Sequence, residues 1–212
     1  MLRVHRIVER TAAEGPGMRF CLWVQGCHNA CPHCFMPNSW DPAGGTAMAE
    51  SAVIDRIRAV RPTIEGVTLL GGEPMEQAAA LVPVAEAARG MGLSVMTFTG
   101  LVYEDILRAG KGEGEGKGRG KSDPARLRLL ALTDLLVDGP YVHAARDLSR
   151  PFVGSKNQRF LFLTDRYTAD DIAACSNRFE LRIDPAGALR VNGMGDVPAL
   201  CRLLSGTHTT KR

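Results

Sequence analysis

The stretch "MRFCLWVQGCHNACPHCF", residues 18 to 35, runs from an apolar segment straight into a loop holding Cys27, Cys31 and Cys34 in the spacing Cys-x3-Cys-x2-Cys. The apolar part, residues 18 to 24, reads as a strand because aromatic, aliphatic and β-branched side chains follow one another with little polar interruption. Runs of the same kind recur at 66 to 70, 93 to 98, 133 to 137, 159 to 163 and 179 to 183, which makes six strand candidates. Helical patterns separate the first three: Val53, Ile54, Ile57 and Val60 share one face, as do Ala78, Leu81, Val82 and Ala85, with Gly90 placed to end the second helix and Pro83 inside it. Shorter helices fit 102 to 109, 125 to 132 and 168 to 174. Strand and helix in alternation predict an α/β fold with right-handed crossovers and a parallel sheet, either open or an incomplete barrel. Asp184 to Gly187 is turn chemistry between two alternating runs, so the sheet is expected to finish in an antiparallel hairpin.

Chemistry-bearing residues fall after these strands. The cysteine loop follows the first, "GGEP" (71 to 74) the second, Thr99 and Gly100 the third, and "DGPY" (138 to 141) the fourth. In parallel α/β folds the loops at the C-terminal strand ends converge on one face, so one site can draw on all four.

Composition bounds the rest. A chain of 212 residues, 45% hydrophobic, suits one domain, expected over 1–204. With no run of eighteen apolar residues and no signal-peptide core at the N-terminus, it reads as cytoplasmic, with no membrane contact. Of the formal charge of +3, much comes from "GKGEGEGKGRGKS" (110 to 122), where glycine alternates with mixed charge. That pattern predicts a flexible insertion, not the concentrated basic face that a nucleic acid requires. Residues 205–212 read as a disordered tail.

Six cysteines in a reducing compartment point to metal ligands or buried thiols. Cys21, Cys175 and Cys201 are scattered and read as buried small hydrophobes. For the clustered three, His28 or His33 could complete a four-ligand zinc site, although each adjoins a cysteine and would have to bend back within a short loop. Three thiolates around a 4Fe-4S cluster instead leave one iron open to a substrate or cofactor.

The Cys-x3-Cys-x2-Cys loop and the post-strand "GGEP" together resemble the radical S-adenosylmethionine enzymes. "EGPGMRF" (14 to 20) resembles a stretch of their glycyl-radical activating members. "LWVQGC", "PNSW" (37 to 40), "GGEPMEQ" (71 to 77), "LLVDGPY" (135 to 141) and "GSKNQR" (154 to 159) look most like the activating proteins of anaerobic ribonucleoside-triphosphate reductases. Glu14 stands where Asp is usual there, and Phe35 and Met36 where His and Asn are common.

The resemblance implies a partial (β/α)6 TIM-like barrel, a 4Fe-4S cluster on Cys27, Cys31 and Cys34, and S-adenosylmethionine chelated by the open iron. It implies reductive cleavage to a 5′-deoxyadenosyl radical that takes hydrogen from a glycine of a partner, most similar to anaerobic ribonucleotide reductase. A one-electron donor such as a flavodoxin or ferredoxin goes with that chemistry. It also implies that Gly71, Gly72 and Glu73 meet the methionyl ammonium; the same residues with Pro74 could simply form a tight strand-to-helix turn.

The remaining candidates each carry two readings. His33 sets a ring against the adenine or is an exposed loop histidine. Arg19 steadies the cofactor carboxylate or cluster loop, or is a solvated charge. Thr99 and Gly100 approach the ribose or form a turn. Asp138 contacts substrate or cofactor, or initiates a turn. Asn157 and Gln158 shape a partner groove or satisfy loop backbone. Trp23 belongs to the core, whereas Trp40 is a candidate partner contact. Two rival functions stand beside the activator: a stand-alone radical enzyme acting on a small metabolite or peptide, and a zinc-stabilised binding module without catalysis.

Overall fold

Nine strands and six α-helices follow in the computed structural model, which describes residues 1–112, 123–183 and 186–205. The strands are β1 (Leu2–Thr11), β2 (Arg19–Val24), β3 (Thr46–Met48), β4 (Gly66–Gly71), β5 (Ser94–Phe98), β6 (Leu135–Asp138), β7 (Arg159–Phe162), β8 (Phe179–Ile183) and β9 (Leu189–Gly193). The helices are α1 (Glu50–Val60), α2 (Ala78–Gly90), α3 (Tyr103–Gly110), α4 (Pro124–Leu132), α5 (Ala169–Ala173) and α6 (Val197–Leu204).

The first seven strands form one sheet in the order β3-β1-β2-β4-β5-β6-β7. β2, β4, β5 and β6 are mutually parallel, and every residue of β2 is buried, which is why it reads as an unbroken apolar run. Helices cover one face, where Phe20, Leu22, Leu69 and Val95 meet Val53, Ile57, Leu81, Val84 and Leu129. Each such fully buried side chain contributes about 1.5–3 kcal/mol to the folded state. On the opposite face Cys21, Trp23 and Leu70 form a smaller cluster beside one containing Met96, Val137 and Phe152, and Phe98 packs against both. Helices on one side and a thinner apolar lining on the other leave room for a cavity.

The structure corrects several expectations. The parallel core has four strands, not the six of a (β/α)6 count, because β7 pairs antiparallel with β6. A parallel return is usually made by a crossover helix, and between those strands stands only a three-residue 3-10 turn at His143–Ala145. The expected hairpin is present as β8–β9, but as a separate two-stranded sheet. β1, β3 and α6 had no counterpart in the strand and helix candidates. Cys21 is buried as expected; Cys201 is exposed because α6 buries no residue, and Cys175 is half-buried. Most of the 110–122 insertion and of the 205–212 tail lies outside the described residues; Gly110 closes α3 and Ser205 caps α6. Among the described residues no helix is long and apolar enough to cross a membrane.

Candidate cofactor site

Because β2, β4, β5 and β6 run parallel, the cysteine loop, Gly71–Pro74, Thr99–Gly100 and Asp138–Tyr141 emerge at the same sheet edge. A cleft of about 140 Å³ there is lined by Cys27, Cys31, Cys34, Trp40, Gly71, Gly72, Glu73, Thr99, Gly100 and Gln158. The residue before each cysteine has positive φ: Gly26 at 96°, Ala30 at 43° and His33 at 60°. For Ala30 and His33 that conformation costs free energy, and non-glycine outliers of this kind concentrate at functional sites. Three successive left-handed turns thus present three thiols from one short loop.

Local hydrogen bonds suit sulfur ligands. Met36 N–H donates to Cys34 Sγ at 3.4 Å, and Cys34 N–H to the Cys31 carbonyl at 3.1 Å. Burial pushes the Cys27 thiol up to about 11, opposed by the backbone N–H groups of Asn29 and Ala30, so binding a metal there releases a proton. Among the described residues no group of three His, Cys, Asp or Glu side chains is arranged around a single ion. The ligands of a 4Fe-4S cluster bind separate irons and need no such arrangement, so a soft three-thiol set on one cleft fits the cluster.

"GGEP" is built for close packing. Gly71 has φ 106°, and a Cβ at Gly72 would lie 2.2 Å from the Gly26 carbonyl oxygen. The strands touch here through Gly72 N–H to the Val24 carbonyl and Glu73 N–H to the Gly26 carbonyl, both 2.8 Å. Buried Pro74 starts the 3-10 turn Pro74–Gln77. The Glu73 carboxylate, 1% exposed, accepts from Met75 N–H (2.9 Å), Thr99 Oγ1–H (2.8 Å), Gly100 N–H (2.8 Å) and Asn29 Nδ2–H (3.2 Å). Burial raises its pKa, while the bonds from Met75, Thr99 and Gly100 lower it. Four protein donors occupy the roughly four acceptor positions of a carboxylate, so Glu73 organises the cleft wall and draws Thr99, Gly100 and Asn29 together.

Other candidates land elsewhere or inward. Arg19 is 0% exposed at the start of β2, the end remote from the cysteine loop, so neither expected role holds. Its guanidinium donates to Thr68 Oγ1 (2.6 Å), Pro16 O (3.1 Å), Val67 O (2.7 Å) and Tyr167 Oη (2.9 Å), tying together the starts of parallel strands. Buried Asp138 accepts from Arg159 Nε (2.9 Å) and Tyr103 N–H (2.9 Å), which commits it to structure and holds the Arg159 pKa above its usual range. Asn157 Nδ2 donates to Pro140 O (2.7 Å), and Gln158 Oε1 accepts from Gly154 N–H (2.8 Å), so both secure loop backbone while Gln158 also lines the cleft. His33 is exposed and stacks on His143 with ring centroids 4.1 Å apart. Trp40 lines the cleft, and its buried Nε1 has no hydrogen-bond partner among the described residues.

Asn29, Phe98 and Arg6 were not foreseen, and Tyr141 and Glu14 only as members of "DGPY" and "EGPGMRF". A second cavity of about 370 Å³ shares Cys34, Gly71, Phe98, Tyr141 and Gln158 with the cleft and extends past Trp23, Phe35, Phe152 and Phe179 to Val197. Arg6 lies 4.2 Å over the Trp23 ring, and Glu14 accepts from Gly193 N–H at 2.7 Å. Polar residues of this kind give no periodic signal; only the partners supplied by the β8–β9 hairpin reveal them.

Comparison with known proteins gives the chain's relatives. Residues 13–161 match the model of the 4Fe-4S single cluster domain. The chain is 24% identical over 164 residues to the anaerobic ribonucleoside-triphosphate reductase-activating protein of Escherichia coli (strain K12), covering 74% of this chain and 96% of that protein. It is 26% identical over 165 residues to the protein of that name from Salmonella typhimurium, with the same 74% and 96% coverage. It is 28% identical over 116 residues to the pyruvate formate-lyase-activating enzyme of Clostridium pasteurianum, covering 51% of this chain and 49% of that enzyme, so the match spans about half of that relative.

The chain belongs to the 4Fe-4S single cluster domain family. Within it this is a radical S-adenosylmethionine enzyme of the glycyl-radical activating type, with an iron-sulfur cluster and S-adenosylmethionine as its cofactors. The zinc-module reading gives way to that assignment.

Proposed function

We propose that this chain generates a glycyl radical on a partner enzyme, an anaerobic ribonucleotide reductase, in the cytoplasm, with a flavodoxin or ferredoxin as electron donor. Cys27, Cys31 and Cys34 hold the cluster; Gly71, Gly72 and Pro74 let the backbone approach S-adenosylmethionine, and Glu73 fixes Thr99 and Gly100 beside it. His33 and Trp40 flank the adenine side and the partner. When bound, the reduced cluster and S-adenosylmethionine supply a hydrogen-abstracting 5′-deoxyadenosyl radical. In this reading the sheet, with four parallel strands and not six, curves as the wall of a partial barrel, and residues 1–204 act as one domain.

The observation that carries the proposal is that the two cavities adjoin, with Cys34, Gly71, Phe98, Tyr141 and Gln158 in both linings. The cleft at the cysteines lies against the larger one, whose lining includes Phe35 and Val197, 44% and 43% exposed. Large apolar side chains left in solvent at a cavity mouth suit a macromolecular partner. The likeness to the reductase-activating proteins over 96% of their length supports the same choice.

The test is to mix the anaerobically reconstituted protein with the reductase of its own organism, S-adenosylmethionine and dithionite, and to record the electron paramagnetic resonance spectrum. A doublet on the reductase is expected. A second reading, a stand-alone enzyme acting on a small metabolite or peptide, is favoured by the 370 Å³ volume, which falls within the range of small-molecule sites. It requires cofactor cleavage coupled to a small substrate, with no radical on any reductase.

A further inference from the structure

The 3-10 turn Pro74–Gln77 sends Met75 into the core and leaves three polar side chains, Glu73, Glu76 and Gln77, for the neighbouring loop. With three residues per turn, Glu73 and Glu76 lie one above the other. Glu73 takes Asn29 Nδ2–H at 3.2 Å. Glu76 accepts twice from the residue after Cys27: His28 N–H to Oε1 at 2.9 Å and His28 Nδ1–H to Oε2 at 2.8 Å. Gln77 Nε2 donates to the carbonyls of Gln25 (2.7 Å) and Arg3 (2.9 Å), and its Oε1 accepts from Arg3 N–H (2.8 Å). One turn thus grips residues 25, 28 and 29, on both sides of Gly26 and Cys27.

We infer that Glu76, assisted by Gln77, is a positioning residue that fixes the backbone presenting Cys27 to the cofactor. The exposed ion pair with the His28 ring adds little by itself. The backbone bond matters more, because His28 N–H belongs to a loop already holding two non-glycine residues at positive φ. Its consequence for the cluster rests on the reading of Cys27 as a ligand, whereas the grip is a property of the metal-free chain. A side chain of glutamate length at 76 is needed for its reach and its acceptor oxygen, not for its charge.

The experiment compares the wild type with Glu76→Ala, Glu76→Gln and Gln77→Ala. Amide hydrogen exchange is followed over residues 25–31 of the metal-free chain, and loss of iron to a ferrous chelator in the anaerobically loaded protein. Removing the backbone bond is expected to raise loop exchange roughly tenfold in Glu76→Ala. Iron loss and the KM for S-adenosylmethionine rise with it, while the melting midpoint stays near the wild type. Glu76→Gln retains an acceptor for His28 N–H and restores exchange to within about threefold. If Glu76→Ala does not fold, Glu76→Asp is read in its place, since it keeps the charge but is one methylene too short for both contacts. Wild-type exchange in Glu76→Ala or Glu76→Asp, or a Glu76→Gln as loose as Glu76→Ala, overturns the inference. A wild-type chain that takes up no iron sinks the cluster reading and leaves the exchange comparison to decide the grip.

Discussion

Gly72→Ala is the smallest change that should disable the site. The added Cβ would stand 2.2 Å from the Gly26 carbonyl oxygen and 2.9 Å from its carbon, where ordinary contact begins at 3.4 Å. Both neighbours are backbone, so no rotamer change relieves the overlap, and the two segments must separate by about 1 Å. The separation strains two 2.8 Å bonds, Gly72 N–H to Val24 O and Glu73 N–H to Gly26 O. Leaving such groups unsatisfied costs about 1–3 kcal/mol each, or about 2–6 kcal/mol in sum. For a domain of this size that lowers the melting midpoint by roughly 4–24 °C. The displaced Gly26 carries Cys27 with it, and a misplacement of about 1 Å is worth roughly a hundredfold in rate. Thermal melts and chromatographic assay of 5′-deoxyadenosine under dithionite measure both effects. Gly90→Ala, where nothing lies within 4 Å of the new Cβ, is the control and should be neutral or slightly stabilising. A Gly72→Ala protein with wild-type melting and wild-type cleavage would refute the packing argument.

Single replacement of Cys27, Cys31 or Cys34 by Ala should abolish reductive cofactor cleavage, whereas exposed Cys201→Ala should leave it unchanged. Arg19→Leu should destabilise the fold by about 3 kcal/mol or more in denaturant titration, because it strips donors from buried Thr68, Ser94 and Val67 oxygens; a shift confined to the S-adenosylmethionine KM would contradict its placement. Burial raises the Glu14 carboxyl to about 7 from 4.5, so the folded state holds a proton that the unfolded chain has lost. Stability on this account is full below about 4.5 and falls as pH climbs to about 7, a difference of about 3 kcal/mol. Glu14→Gln should flatten that fall, and parallel pH profiles of variant and wild type would count against it.

The four parallel strands were legible because they are buried on both faces and carry unbroken apolar runs, and their loops announced themselves through cysteine and glycine chemistry. β1 was missed for a physical reason: its register with β2 shifts between Val4 and Arg6 and again between Val8 and Thr11, which breaks the two-residue alternation. The direction of β7 is not written in "RFLF" at all, since pairing sense depends on the connection before it. At the site, cysteines and glycines betray themselves by what they alone can do. Arg19 and Asp138 do not, because a polar side chain's role depends on distant partners such as Thr68 and Arg159.

The most direct test of the central claim is the iron, sulfide and zinc content of anaerobically purified protein, with electron paramagnetic resonance after reduction, with and without S-adenosylmethionine. About four irons per chain and a signal that changes when the cofactor is added are expected of three thiolates holding an open cluster. One zinc, no signal and no cofactor cleavage would contradict the account.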